Sequence, residues 1–149
     1  TQMDYPVYMQ GQMSKRIILE KFTRHGNAVL LGTASFWEGV DVRGSTLSCV
    51  IIDKLPFSAP DDPLLQAKMQ DCQMQGKDPF ANIQLPQAVI ALKQGVGRLI
   101  RDNKDKGVLV ICDNRLVTRQ YGQVFLKSLP PMRRTRSLED ANTFLKHIN

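Results

Sequence analysis

The apolar positions of this chain fall first into short, continuous runs. Four runs predict strands: the short β-rich run at residues 5–10 (YPVYMQ), and three continuous apolar runs at 28–33 (AVLLGT), 46–53 (TLSCVIID) and 107–113 (GVLVICD). Runs that are apolar throughout, rather than alternating, are typical of strands covered on both faces, as in a parallel sheet flanked by helices.

Helical spacing fills the segments between these runs. In residues 14–26 (SKRIILEKFTRHG), Ser14 is placed to cap a helix, Gly26 is placed to end it, and Ile17, Ile18 and Phe22 form its apolar stripe. Further helices are predicted over residues 61–76, 86–101, 117–130 and 137–148, with a loop at 77–86. Strands that alternate with helices predict an α/β fold with a mostly parallel sheet.

The stretch LKQGVGRLIR, residues 92–101, fits either a phosphate-binding loop or an arginine-bearing helix. No stretch of the chain matches the phosphate-loop pattern G-x-x-x-x-G-K-[ST]. On a helix, Gln94, Gly97, Arg98 and Arg101 share one face, opposite the apolar residues. Gly97 costs a helix interior about 1 kcal/mol relative to alanine, which favours close approach of another backbone or a phosphate. From spacing alone, a solvated basic face is an equally good interpretation.

Composition and charge point to a polyanionic partner. The 149 residues are 42% hydrophobic and 23% charged, enough for one ordinary domain, and the net charge is +6. A basic excess of this size favours nucleic acid, a nucleotide or an acidic protein surface. No apolar run approaches the ~18 residues that a membrane-spanning helix needs.

The cysteines predict neither a disulfide framework nor a metal site. Cys49, Cys72 and Cys112 are odd in number and far apart, which indicates reduced thiols in a cytoplasmic protein. The only histidines are His25 and His147, and no cluster has metal-ligand spacing. We therefore expect no metal ion or iron–sulfur cluster in this chain.

Several motifs resemble those of superfamily 2 helicases. Residues 94–101 (QGVGRLIR) match motif VI, Q-x-x-G-R-x-x-R, and residues 32–44 (GTASFWEGVDVRG) resemble motif V of the DinG/XPD branch. The stretches CVIIDKLPF with PDDP, and GVLVICDNR, also fit that branch. Residues 9–16 (MQGQMSKR) resemble, more weakly, a strand–turn–helix that contacts nucleic-acid backbone.

The resemblance covers most of residues 5–130 and implies a RecA-like, P-loop-NTPase-type fold. Residues 1–130 are then expected to be the second RecA-like domain, truncated at its N-terminal strand before Tyr5. Residues 131–149 are expected to be a basic segment followed by a short helix.

The family's mechanism implies roles for specific residues. Motif VI arginines reach across a cleft to the γ-phosphate of ATP bound by the first RecA-like domain. The resemblance thereby assigns catalysis to Arg98, Arg101 and Gln94, nucleotide binding to Gly39, Asp41 and Gly97, and DNA binding to Thr33, Ser35, Lys15 and Arg16.

Some of these residues have structural alternatives. Thr33 and Ser35 are also suited to capping a strand end, and Asp41 to stabilising a turn. Lys15 and Arg16 gain nothing from the dipole at the start of a helix, which favours a phosphate role for them. Asp113 and Arg115 follow the last strand. They either form a structural ion pair or couple the ATP cleft to the DNA track, and we prefer the structural ion pair.

The resemblance also implies cofactors and partners. ATP and Mg²⁺ are expected in the full-length protein and a [4Fe–4S] cluster in its other half, because this chain lacks the Walker A and DEAH-type motifs and the cluster cysteines. The chain alone is therefore expected to be inactive. Its expected partners are single-stranded or forked DNA and the first RecA-like domain, in the nucleoid of a bacterial cytoplasm.

The C-terminal segment suggests a second kind of function, a docking module. Residues 131–136 (PMRRTR) are basic, and Leu138, Ala141, Leu145 and Ile148 give the helix after them one apolar face. That helix either packs back on the sheet or binds a partner. One bacterial helicase of the branch is associated with the χ accessory subunit of the replicative DNA polymerase, which makes the following residues candidates for partner contact: Arg133, Arg134, Thr135, Arg136 and Phe144.

Overall fold

The computed structural model describes residues 5–37, 47–100 and 104–148, with only the backbone of Ser35 and Trp37. The elements in chain order are β1 (Val7–Met9), α1 (Lys15–His25), β2 (Val29–Leu31), β3 (Cys49–Ile52), α2 (Pro63–Met74), α3 (Leu85–Leu99), β4 (Val108–Ile111), α4 (Arg115–Thr118), α5 (Gly122–Ser128) and α6 (Leu138–Ile148). Each strand falls inside one of the four apolar runs. The predicted α/β class is confirmed.

The strands pair in two parallel pairs. In one sheet β1 lies beside β2, with Val7 opposite Val29, and in the other β3 lies beside β4, with Cys49 opposite Val108. Within the described residues these are two separate two-stranded sheets. The sequence predicted the parallel direction of the strands but not their separation into two sheets. Because the strands of each pair are parallel, their carboxyl ends lie at one edge of that pair.

Helix α1 begins and ends where the sequence predicts. The Ser14 hydroxyl accepts from the backbone N–H of Ile17 at 3.5 Å, and Gly26 ends the helix with a left-handed φ of 72°. Ile18 and Phe22 are buried, whereas Ile17 is 38% exposed, so the apolar stripe is narrower than predicted.

The predicted loop at 77–86 is wrong, because much of it is helical. Residues Phe80–Gln84 form a π-helical turn that runs directly into α3. Asp78 caps this turn, its carboxylate accepting from the Phe80 N–H at 3.0 Å. The Leu85 N–H then donates to the Phe80 carbonyl five residues back. This wider turn leads into Pro86, which has no N–H to donate.

The single helix predicted over 117–130 is also wrong. The chain forms α4, breaks, and resumes as α5 at Gly122. A Cβ on Gly122 would collide with the backbone carbonyl of Leu116, so the two short helices meet at closer range than any other residue permits.

Two apolar cores lie in the described part of the chain. The smaller contains Ile18, Phe22 and Phe36, beside β1, β2 and α1. The larger contains Ile52, Leu55, Ala88, Leu92, Val96, Leu116 and Phe125. Phe57, in the turn at 55–57, joins the larger core through ring contacts with Phe80, Tyr121 and Phe125. Helix α3 lies against β3, β4 and also the 3-10 turn Ala34–Trp37 that follows β2, and so connects the two cores.

Candidate functional site

Helix α3 presents the polar face of motif VI. Gln94 and Gly97 are exposed, and a methyl group added at Gly97 would meet no atom within 4 Å. Arg98 is half-buried, and its Nε is fully buried without a hydrogen-bond partner among the described residues. The opposite face buries Leu92, Val96 and Leu99, as predicted.

The sequence predicted a helix through residue 101, and this part of the prediction is wrong. The helix ends at Leu99, and Ile100 is extended, with φ −121° and ψ 107°. Arg101 lies outside the described residues, so its predicted place on the face of Arg98 stays a prediction.

Motif V lies beside this helix. The 3-10 turn Ala34–Trp37 contacts α3, and Phe36 within it is buried against Ile18 and Phe22. Of the other motif V residues, Gly39 and Asp41 lie outside the described part of the chain, as does the side chain of Ser35. The described part of the segment that resembles motif V therefore lies against the helix that resembles motif VI.

The carboxyl ends of β1 and β2 gather a polar cluster. The backbone N–H and the hydroxyl of Thr33 donate to the Gln10 carboxamide oxygen at 2.8 and 3.0 Å. The Lys15 ammonium lies 5.1 Å from the centre of the Phe36 ring. Arg16 is 80% exposed at its side chain and pairs with Glu20 at 3.0 Å, an exposed pair of small energetic weight.

Sequence reasoning missed Gln10 in this cluster. Its signal was its position directly after the first strand, where residues of parallel sheets commonly contact ligands. The contact itself spans 23 positions of sequence, so spacing along the chain gave no indication of it.

A second polar cluster lies at the carboxyl ends of β3 and β4. The Asp113 carboxylate accepts from the backbone N–H groups of Leu55 and Arg115, at 2.9 and 3.0 Å, and from the Arg115 guanidinium at 2.6 Å. These hydrogen bonds, above all the one from Arg115, hold the pKa of Asp113 well below its usual range. Asp53 and Lys54 line an open depression of about 550 Å³ beside this pair. The predicted structural ion pair is present.

The Asp113–Arg115 pair also ties the strand ends to the aromatic cluster. The Arg115 guanidinium carbon lies 5.4 Å from the centre of the Phe57 ring, a cation–π distance. The hydrogen bond to Asp113 raises the pKa of Arg115 above its usual value. The pair therefore fixes the turn at residues 55–57 against α4.

The C-terminal segment is partly tied to the domain. Arg134 donates to the Leu126 carbonyl, near the end of α5, at 3.0 Å. Thr135 donates to the Asp140 carboxylate at 2.7 Å and accepts from the Ser137 N–H at 3.0 Å. Ser137 caps α6 as predicted, its hydroxyl accepting from the Asp140 N–H at 3.1 Å.

Helix α6 itself is only lightly packed. None of its residues is fully buried, although Ala141, Leu145 and Ile148 are half-buried and the helix contacts β4. Leu138 is 80% exposed and Phe144 45% exposed. Arg133 and Arg136 make no hydrogen bond or ion pair within the described ranges.

Three further features of the described residues concern metal ligands, cysteines and membrane-spanning helices. No three histidine, cysteine or carboxylate side chains group there as metal ligands. All three cysteines are free thiols, and burial raises the pKa of Cys49. No described helix is both long and apolar enough to cross a membrane.

Comparison with known proteins identifies a family. The chain matches the helicase C-terminal domain over residues 1–132. It is 65% identical over 143 residues to the ATP-dependent DNA helicase YoaA of Escherichia coli and 61% identical over 141 residues to YoaA of Haemophilus influenzae. It is 40% identical over 143 residues to the ATP-dependent helicase DinG of Mycobacterium tuberculosis.

These alignments cover nearly all of this chain but a small part of each relative. They include 96%, 95% and 96% of the chain, respectively, and 22% of each of the three relatives. The chain thus spans less than a quarter of the length of the proteins it matches.

Proposed function

The chain belongs to the helicase C-terminal domain family, and we propose that it is the second RecA-like motor domain of an ATP-dependent DNA helicase of the DinG/XPD type. In this role residues 1–130 supply motifs V and VI to an ATP-binding cleft and to a DNA track, at the nucleoid of a bacterial cell. Residues 131–149 form a separate C-terminal segment.

The buried Nε of Arg98 carries this proposal. A buried donor on a charged group costs several kcal/mol of folding free energy unless it finds a partner. Arg98 lacks one among the described residues, and it projects from a helix whose neighbouring face, at Gln94 and Gly97, is open. A γ-phosphate oxygen held by the first RecA-like domain would satisfy this donor, and a guanidinium suits phosphate because its donors form a planar fork.

The remaining nucleotide contacts follow from that position. Gln94 lies one turn before Arg98 on the exposed face, where it can hold a γ-phosphate oxygen or the attacking water. Gly97 leaves room for the phosphate or the opposing domain to approach. We assign Arg101 a second arginine contact, and Gly39 and Asp41 contacts to the nucleotide, from motif matching alone.

Substitution of Arg98 in the full-length protein tests the motor assignment. Arginine fingers contribute about 10³–10⁵ to the rate of phosphoryl transfer, so Arg98→Ala should abolish DNA-stimulated ATP hydrolysis. Arg98→Lys should also be poor, because one ammonium cannot replace the fork. Both variants should bind single-stranded DNA as the wild type does.

Lys93→Ala provides the matched control, because it removes an exposed positive charge from the same helix. That variant should keep wild-type turnover. Near-normal ATP hydrolysis by Arg98→Ala, or equal losses in Arg98→Ala and Lys93→Ala, would contradict the proposal.

The chain alone should not hydrolyse ATP. It contains no phosphate-loop sequence, so binding of the triphosphate and Mg²⁺ is assigned to the first RecA-like domain. Its described residues do not fit a [4Fe–4S] cluster either, and we assign that cluster to the other half of the protein. If the purified chain released phosphate from ATP, and did so equally in Arg98→Ala, the assignment of ATP binding to the first RecA-like domain would be refuted.

We assign the DNA track to the carboxyl edge of β1 and β2. Thr33, Lys15 and Arg16 lie at or next to this edge, and Ser35 follows it in the turn that contacts α3. The net charge of +6 favours single-stranded or forked DNA as the ligand, since phosphate contacts supply most of such affinity.

The exposed side of α6 favours a second candidate function, docking of a partner protein. Leu138 and Phe144 expose apolar surface a few residues after Arg133 and Arg136, which make no hydrogen bond or ion pair within the described ranges, a combination suited to a small interface edged by charge. The proposed partner is a χ-like accessory subunit of the replicative DNA polymerase.

The docking test uses Arg133 and Arg136, because Arg134 and Thr135 make contacts within the chain. The double variant Arg133→Glu/Arg136→Glu should bind purified χ subunit more weakly in calorimetric titration, with an unchanged melting temperature. Lys21→Glu/Lys68→Glu, on exposed positions of α1 and α2, controls for net charge. Equal affinities of the two double variants would contradict docking at this segment.

A further inference from the structure

We propose that the side-chain amide of Gln10 donates a hydrogen bond to the nucleic-acid backbone, and that Thr33 is the positioning residue that orients this amide. The inference rests on the proposed DNA track and adds a contact residue to it. The observation behind it is the pair of hydrogen bonds between residues 10 and 33 at the carboxyl ends of β1 and β2.

A backbone donor fixes the orientation of the amide. The Thr33 nitrogen lies 2.8 Å from one terminal atom of Gln10. A backbone N–H can only donate, so that atom must be the carboxamide oxygen and not the nitrogen. The opposite end of the amide, Nε2 with its two hydrogens, is therefore the end that Thr33 does not contact.

The same geometry occupies the Thr33 hydroxyl. Its Oγ1 lies 3.0 Å from the Gln10 oxygen, which has no hydrogen to donate, so the hydroxyl donates to Gln10. Both donors of Thr33 thus serve Gln10. Nε2 of Gln10, by contrast, has no acceptor within the described part of the chain.

The backbone around Gln10 is tightly held. The Gln10 N–H donates to the Leu31 carbonyl at 2.9 Å and so extends the pairing of β1 with β2 by one residue. A Cβ on Gly32 would lie 3.4 Å from the Gln10 oxygen and 3.0 Å from Phe36, so glycine provides the room for the amide to lie over the strand end. The donor is therefore preorganised, which reduces the entropy lost on binding.

The positive charge of Lys15 near Gln10 favours an anionic ligand. Lys15 lies over Phe36, the ring that also bounds Gly32, so a cation and the oriented amide face the same strand ends. Neutral amides and lysines commonly bind backbone phosphate oxygens together, the lysine supplying charge and the amide supplying direction. The ligand that fits is a phosphodiester oxygen of single-stranded DNA.

The test measures binding of fluorescein-labelled oligo(dT) to the full-length protein by anisotropy over a range of salt concentrations. Gln10→Met, similar in shape and without an amide, should raise Kd roughly tenfold or more, the effect of losing one hydrogen bond to a charged acceptor. The slope of log Kd against log salt should not change, because no charge is lost. Lys15→Ala should instead reduce that slope by about one.

Gln10→Glu keeps the oxygen that accepts from Thr33 and replaces the amide NH2 group with a second carboxylate oxygen. Because a carboxylate repels phosphate, this variant should weaken DNA binding more than Gln10→Met. Gln12→Glu is its matched control. The Gln12 oxygen also accepts from a backbone N–H, that of Met9 at 3.0 Å, so the same charge enters two residues away with the turn intact. Thr33→Val should have a smaller effect than Gln10→Met, because the backbone N–H still orients the amide.

Three outcomes would overturn the inference while leaving the DNA track standing. They are wild-type affinity of Gln10→Met, equal losses in Gln10→Glu and Gln12→Glu, and a loss in Thr33→Val as large as in Gln10→Met. Failure of the wild-type protein to bind oligo(dT) would overturn the track and the inference together. Unchanged KM for ATP in every variant separates a DNA contact from a nucleotide contact.

Discussion

Gly97 and Arg98 are neighbours on α3, and the packing of the described residues accounts for neither. A methyl group on Gly97 would meet nothing, and the Nε of Arg98 is buried without a described acceptor. Where alanine would fit in a helix interior, glycine makes the helix less stable than alanine would. Both features fit the proposed function, in which a first RecA-like domain or its bound phosphate approaches this turn of α3.

Gly97→Ala should therefore separate stability from activity. In this chain the variant should raise the free energy of unfolding by about 1 kcal/mol, the difference in helix propensity. In the full-length protein the same methyl group should lower ATP turnover, because it occupies the space left for the phosphate or the other domain. Urea denaturation and steady-state ATP hydrolysis measure the two effects, and a stabilised variant with full turnover would argue against close approach.

Asp113 is the most strongly bonded carboxylate among the described residues. Its side chain is only 6% exposed and accepts from two backbone N–H groups and from Arg115. Such an acceptor stabilises the fold only while it is ionised.

The depressed pKa of Asp113 predicts an acid-sensitive contribution to stability. An unfolded aspartate titrates near pH 3.9, so the contribution is fully present above about pH 5 and is lost as the pH falls toward the lower folded pKa. Asp113→Asn should lower the free energy of unfolding by roughly 2–3 kcal/mol at pH 7 and by about 1 kcal/mol less than that at pH 3. Urea midpoints at several pH values measure this, and Asp61→Asn, on an exposed residue before α2, controls for charge. A loss independent of pH would contradict the assignment.

At the scale of secondary-structure elements, the break between α4 and α5 is set by one close approach. Gly122 begins α5 directly beside the carbonyl group of Leu116 in α4. The backbone of Leu116 cannot yield as a flexible side chain can, and Phe125, one turn later, is fully buried in the larger core.

Gly122→Ala should destabilise the chain strongly. The added methyl group forces α4 and α5 apart and displaces Phe125, which should lower the free energy of unfolding by about 3 kcal/mol or more. Gly97→Ala is the internal control, because it is the same substitution in a helix with open space. Thermal melts of both variants test the contrast, and a similar melting temperature for the two would contradict it.

Local sequence signals predicted the elements better than the junctions between them. The apolar runs located all four strands, and Ser14, Gly26 and Ser137 located helix ends, because each signal acts within a few residues. The π-helical turn depends on Asp78, which caps a segment that the sequence predicted to be a loop. The break between α4 and α5 depends on the packing of Gly122 against Leu116. The contact of Gln10 with Thr33 depends on the pairing of β1 with β2, which no local pattern encodes.

The motif VI face was predictable because helical spacing fixes it, and the structure places Gln94, Gly97 and Arg98 accordingly. The burial of the Arg98 Nε was not predictable, since it depends on how α3 packs.

At the scale of the whole molecule, two cores of unequal size share one helix. Among the described residues, the core beside β1 and β2 has three buried side chains and the core beside β3 and β4 has seven. Helix α3 contributes Ala88, Leu92 and Val96 to the larger core and contacts the 3-10 turn Ala34–Trp37, which carries Phe36 of the smaller core.

This division should be visible in the time that backbone amides take to exchange with deuterium. Among the described residues, the strands of each pair hydrogen-bond only to each other. The two halves can therefore open separately, and the half with fewer buried side chains should open more often. Amides of β2 and α1 should then exchange faster than those of β4 and α3. Ile18→Ala should accelerate exchange in the first set alone, whereas equal acceleration throughout would show a single cooperative unit. Under this arrangement, the edge that carries Gln10 and Thr33 lies on the half that loosens first, so a ligand bound there should slow exchange most in the segments around α1.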